Sequence, residues 1–396
     1  MRWLAVAGGL LFALPVMALQ FLPPRLVTEV SASAFLHLDG SGRRLLAVNG
    51  QAIAVVWEDS REGRPAIRAA FATGDGEFGA PQRLSGSAPA FEPAVTSLGN
   101  GFVACWEETA RIHCRQIGPE GRGRVRVLGG TAARQITLAS APDGTVAAVW
   151  AERAGRHYRI VSARLVADGD GLRQRGRQIV DATAGEADQL YPAVAVTRHG
   201  TVVAWEDRRQ GATRIFTAFA PPGAAFGRWS LLNDFRPSRI RRFGNGTGAM
   251  RPALAGDDAG RVSVVWLDKR DFEGGYDVYA ALSTDGGRHF GHDELVQDPL
   301  GENTPQWHPG VAMAPDGRIV AAWDDSREGT SDVWYSERGT DGWSDDETPP
   351  GGDGEGRQTH PALASDGDGT LFLLWREEGG GRIRLWLSRQ RVPDAP

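Results

Sequence analysis

Short runs of apolar residues with near-alternating polarity, each closed by a tryptophan, dominate the chain; QAIAVVW, FVACW, TVAAVW, TVVAW, VSVVW, IVAAW and LFLLW are the clearest. Runs of this length, rich in Val, Ile and Ala and bounded by Gly and Asn turns, predict buried β-strands. Behind each tryptophan follows an acidic, arginine-rich turn: WEDSREG from Trp57, WEETAR from Trp106, WAERAGR from Trp150, WEDRRQG from Trp205, WLDKRD from Trp266, WDDSREG from Trp323 and WREEGG from Trp375. The tryptophans are 49, 44, 55, 61, 57 and 52 residues apart. Each interval has room for one four-stranded antiparallel unit, so the spacing predicts an all-β, seven-bladed β-propeller.

A second landmark stands 13 or 14 residues before five of the tryptophans: EPAV at Pro93, YPAVA at Pro192, RPALA at Pro252, HPGVA at Pro309 and HPALA at Pro361. This distance fits an inner strand started by the proline, a turn, and a second strand ending at Trp. RIFTAFA, DVYAALS and DVWYSER read as third strands, PQRLS and RVRVLG as fourth strands. The last repeat ends with RIRLWLSRQRV from Arg382 and lacks a fourth strand. RLVTEVSAS from Arg25 matches the missing piece, so the N-terminal strand is expected to close the last blade.

The leading MRWLAVAGGLLFALPVMALQ has a basic residue, an apolar run and small residues near Ala18, which reads as an export signal over residues 1–18. Residues 19–396 are then expected to form a single propeller domain outside the cytoplasm, periplasmic or secreted, with no later segment apolar enough to span a membrane. A net charge of −5 and a pI near 6.0 argue against a nucleic-acid partner. Lys269 is the only lysine, and arginine carries nearly all the positive charge.

The two cysteines lie in VACWEETARIHCRQI. With Thr109 and Ala110 as a two-residue hairpin turn, Cys105 faces Cys114, which leaves open a cross-strand disulfide or two buried thiols. Two cysteines without a CxxCH motif supply no cysteine-based zinc site, iron–sulfur cluster or covalent haem. No cofactor is called for.

Four turns repeat an acid-x-Arg element: Asp59 with Arg61, Asp207 with Arg209, Asp268 with Arg270, and Asp325 with Arg327. Recurrence in several blades points to a structural pair that caps the turn. A binding site must break the repeat. The residues just before the strand prolines do so, and the repeat brings all of them to the channel entrance: Glu92, Tyr191, Arg251, His308 with its neighbour Trp307, and His360. Asp268, Arg270 and Asp271, with Glu273, add charge beside this mouth, and Arg236, Arg239, Arg241 and Arg242 form a basic insertion. His308 and His360 come from adjacent blades, but two imidazoles without a third ligand give no metal set. DGDG at Asp168 and Asp366 lies where hairpin turns are expected and lacks the later Glu of a calcium loop.

Ser283-Thr284-Asp285-Gly286-Gly287-Arg288-His289-Phe290 fits the S-x-D-x-G-x-x-F/W pattern, with a worn copy at Thr73–Phe78 and another around Asp341-Gly342-Trp343. On these residues the chain resembles the BNR/Asp-box propellers, the superfamily that includes the sialidases. The resemblance implies a propeller fold, with Ser283, Asp285, Gly287 and Phe290 as a folding element on the face away from a sialidase active site. The chain departs from sialidases in having seven repeats rather than six, no Arg-Ile-Pro and no tyrosine placed as nucleophile. The expected function is therefore an exported, monomeric module binding a carbohydrate, peptide or protein ligand at its mouth. A sialidase-like hydrolase or lyase acting on an anionic glycan is the alternative.

Overall fold

The computed structural model describes residues 19–38, 42–130, 132–233, 248–270, 275–299 and 304–390. Seven antiparallel sheets follow one another around a central channel, and no helix occurs among the described residues. Blades two to six each run outward in chain order, as in blade four from Gln189–Thr197 through Gly200–Asp207 and Arg214–Ala220 to Ser230–Leu231. In blade one the inner strand is split into Leu36–His37 and Leu46–Asn49, both paired with Ala52–Asp59.

Blade seven is built from both ends of the chain. Arg25–Ser31 pairs antiparallel with Arg382–Arg389, placing Val30 opposite Ile383 and Glu29 opposite Arg384. Closure pairs the outer edge of Arg382–Arg389 and gives the last blade its fourth strand. Val27 and Val30 are buried in it, and Glu29 forms ion pairs with Arg382 and Arg384.

The core lies between blades rather than inside them. All seven repeat tryptophans are fully buried, and one apolar cluster joins Trp57 and Trp106 to residues of blade seven such as Leu374 and Leu385. Alternation along a strand puts residues i and i+2 on one face. Each indole N–H therefore reaches the acid two residues on: Asp59 at 2.8 Å, Glu108 at 2.9 Å, Glu152 at 2.8 Å, Asp207 at 3.4 Å, Asp268 at 3.1 Å and Asp325 at 3.1 Å. In four blades the arginine of the turn donates to the same buried carboxylate, as from Arg61 Nε to Asp59 at 2.8 Å and from Arg209 Nε to Asp207 at 2.9 Å. Blade seven departs: Glu377 takes the Trp386 and Arg384 donors, and Trp375 Nε1 is buried with no hydrogen-bond partner.

The prolines do not start the inner strands. They lie two or more residues inside them, at a β-bulge where the register skips, as between Phe91 and Ala94 or Leu190 and Ala193. Proline suits this place because a bulged residue has no ladder partner for a missing N–H.

Thr109 and Ala110 have φ of 53° and 56° and close a two-residue turn that sets Cys105 opposite Cys114. The two cysteines form a disulfide across Cα atoms 4.0 Å apart. In the Ser283–Phe290 turn, Ser283 Oγ accepts the Gly287 N–H at 2.9 Å and Asp285 Oδ1 accepts the Arg288 and His289 N–H groups at 3.1 and 3.0 Å. Gly287 (φ 88°) lies so close to Val202 of blade four that a Cβ would meet Val202 Cβ at 2.8 Å. Gly286 N–H bonds Gly260 O, in the turn joining the first two strands, which puts this element on the face opposite the mouth. Both DGDG segments are hairpin turns, with Asp168 paired to Gly171 and Asp366 N–H on Thr370 O.

Candidate functional site at the channel mouth

The residue before each strand proline, with Gln135 in blade three, sits on the bulge with positive φ: Glu92 53°, Gln135 59°, Tyr191 49°, Arg251 57°, His308 50° and His360 57°. Arg43 holds the equivalent register in blade one. A left-handed backbone costs a non-glycine residue about 1 kcal/mol or more, so something must hold each one there. For five of the six the holder is a side chain of the preceding blade. Glu58 accepts the Glu92 N–H at 3.2 Å, Glu107 that of Gln135 at 2.5 Å, Glu206 that of Arg251 at 2.8 Å and Asp324 that of His360 at 2.9 Å. In blade three Ala151 follows the tryptophan, and Gln135 itself accepts the Tyr191 N–H at 2.9 Å.

These four carboxylates follow a repeat tryptophan directly, and sequence reasoning passed over them. The signal was present: in WED or WDD, the tryptophan and the second acid share one strand face, so the first acid must point the other way, across the blade boundary.

Neighbouring ring residues touch in sequence around the mouth. Arg43 pairs with Glu92. The Arg251 guanidinium lies 3.6 Å from the centre of the Tyr191 ring. His308 and His360 stack with centroids 3.7 Å apart, and His360 meets His37 edge-on at 5.5 Å. His37 in turn stacks on Phe35 at 5.5 Å, and both Phe35 and Trp307 present more than a third of their surface to solvent. Trp307 leans on Tyr276 at 5.5 Å.

Two carboxyl groups under this rim titrate well above the ordinary glutamate range. Burial first, and then the charge of Glu92 hydrogen-bonded to it, push Glu107 up to about 8, against the pull of Arg43. Burial likewise raises Glu206 to about 7. Below them Arg44 lines the central channel with Val48, Ser97, Ser140 and Ser365, and burial lowers its pKa from the usual guanidinium value.

The ring thus gathers Glu92, Tyr191, Arg251, His308 and His360 as the repeat implied, with Trp307 at its edge. Asp268 and Arg270 are placed differently. Asp268 is buried, takes the Trp266 indole, and pairs with Arg270 at 2.8 Å; Arg270 also reaches Asp293 at 2.7 Å and stacks over Tyr279. Both are committed to the interior of blade five. Asp271, Glu273, the basic insertion from Arg236 to Arg242 and the 1–18 leader lie outside the described residues. The third donor that the two imidazoles lacked in sequence is Asp324, whose Oδ1 is 2.7 Å from His308 Nδ1.

The fold is that of a seven-bladed β-propeller with a polar and aromatic mouth. No family model and no curated protein sequence matches the chain. Among solved structures, it is similar to the polysaccharide lyase Uly1 at TM-score 0.56 and 9% identity, covering 90% of this chain and 91% of that one. It is also similar to an α-L-arabinanase from Penicillium chrysogenum complexed with arabinobiose, at TM-score 0.53 and 15% identity, over 78% and 94% of the two chains. The α-L-arabinofuranosidase Arb93A from Fusarium graminearum, bound to an iminosugar inhibitor, follows at TM-score 0.51 and 12% identity over 77% and 94%. At these identities the likeness is one of fold.

Proposed function

We infer that this chain is an exported carbohydrate-binding propeller, a distant relative of the Asp-box propellers, that seats a sugar on its mouth ring. The observation that carries this reading is the run of touching rings Phe35, His37, His360 and His308, flanked by Trp307 and bordered by the Arg43–Glu92 pair. Flat apolar faces pack on the C–H face of a pyranose, while carboxylates and guanidinium groups take up its hydroxyls or an acidic substituent. Propellers of similar fold that act on arabinose polymers and polysaccharides support it. The leader's composition supports export, and no helix among the described residues is long and apolar enough to cross a membrane.

A second reading, a hydrolase or lyase acting on an anionic glycan, is favoured by Glu107. A carboxylic acid that keeps its proton to about pH 8 beside a second carboxylate and an arginine is suited to proton donation. Against a retaining hydrolase, Glu92 and Glu107 hydrogen-bond directly, leaving no room for a sugar between carboxyls that such enzymes hold about 5 Å apart.

A glycan array and a panel of chromogenic glycosides and uronic-acid polymers test both readings on the mature protein. Capture without turnover is the expected result, and turnover would transfer the case to the enzyme. The Arg251→Ala/His308→Ala double variant is expected to weaken capture with an unchanged melting temperature. Unweakened capture in that variant, or no glycan retained by the wild type, overturns the proposal.

A further inference from the structure

His308, Asp324 and His360 converge from two adjacent blades at one point on the mouth, with one ligand atom of each within 4.8 Å of the others. We propose that these three side chains form a binding site for a borderline divalent cation, zinc above all. The donor set is two imidazole nitrogens and one carboxylate oxygen, the mixture that selects zinc and its neighbours over calcium or magnesium. Tetrahedral bonds of about 2.1 Å place ligand atoms roughly 3.4 Å apart, so side-chain rotations of about 1 Å complete the set.

The surroundings fix the ligands in advance. Asp324 is almost completely buried, and its Oδ1 lies 2.7 Å from His308 Nδ1 while accepting the His360 backbone N–H at 2.9 Å. A cation that enters here takes the place of the hydrogen between Asp324 Oδ1 and His308 Nδ1. The two imidazoles stack at 3.7 Å and 22°, so one ring turns out of the stack to bring both in-plane nitrogens onto one ion. His308 remains 30% exposed, which leaves an entry path and an open position toward the channel mouth, the arrangement of three protein ligands plus an exchangeable one. The site shares His308 and His360 with the proposed sugar-seating ring, but it needs no sugar to form.

The test is isothermal titration of EDTA-stripped mature protein, free of any histidine tag, with zinc chloride and no glycan present. One zinc per chain is expected, and the His308→Ala/His360→Ala variant should bind more than about 100-fold more weakly. His289→Ala, on the opposite face, should bind as the wild type does. Cobalt(II) added to the wild type provides a readout independent of any substitution, with the visible bands of a tetrahedral nitrogen–oxygen site expected. Equal zinc affinity in the double variant, no zinc uptake by the wild type, or a cobalt spectrum identical to that of aqueous cobalt would each overturn the proposal.

Discussion

Replacing Glu107 by glutamine isolates the proton held under the rim. The native state keeps the Glu107 carboxyl protonated to about pH 8, whereas an ordinary glutamate gives up its proton near 4.5. Between those values the folded chain binds a proton that the unfolded chain has lost, so stability is full below pH 4.5 and falls as pH rises through the window. At about 1.4 kcal/mol per pH unit, the ceiling on that loss is about 5 kcal/mol, reduced by sharing the proton with Glu92. Glutamine carries no such penalty. Its carbonyl can still accept the Gln135 N–H, now at 2.5 Å, and its amide can donate to Glu92. Urea unfolding of both proteins at several pH values between 5 and 8.5 provides the measurement. Because Glu206, Asp332 and Asp346 also titrate high, at about 7, 6 and 6, the informative quantity is the difference between the two curves. The variant should match the wild type to within about 1 kcal/mol at pH 5 and exceed it by a few kcal/mol at pH 8.5. Parallel curves for the two proteins would refute the assignment of the proton to Glu107.

A chain lacking residues 19–36 exposes the outer edge of Arg382–Arg389 and loses the buried Leu19, Phe21, Val27 and Val30; thermal unfolding should show a loss of at least about 5 kcal/mol, and an unchanged melting curve would contradict ring closure. Asp325→Ala strands the Trp323 indole and leaves Arg327 with Asp346 alone, and should cost about 2–3 kcal/mol, against less than about 0.5 for Asp170→Ala, whose pairing with Arg124 is exposed. Reducing the Cys105–Cys114 disulfide frees a short loop and should lower stability by about 2–3 kcal/mol, read by urea titration with and without reductant. Arg251→Gly should be more stable than Arg251→Ala by about 1 kcal/mol, because the bulge holds φ at 57°; equal stabilities would mean that the backbone relaxes.

Much of the frame was legible because it is periodic and local. Strand alternation and tryptophan spacing specify which segments pair, a two-residue turn sets Cys105 against Cys114, and the missing fourth strand after Arg382 had one matching segment, at Arg25. Burial of the tryptophans and the acid-x-Arg pairs follows from the same repetition. The proline positions were readable too, but not their place inside a bulge, since a register skip depends on the partner strand.

The chemistry of the mouth was decided elsewhere. Glu58, Glu107, Glu206 and Asp324 look like ordinary turn acids in sequence, yet each reaches across a blade boundary to hold a ring residue of the next repeat. Arg43 meets Glu92 across the first blade boundary, and His37 meets His360 only because the ring closes and sets blade one beside blade seven. The amino-acid pattern determined the blades, whose contacts are short in sequence. The rim depends on contacts between repeats, and those exist only once seven blades share an axis.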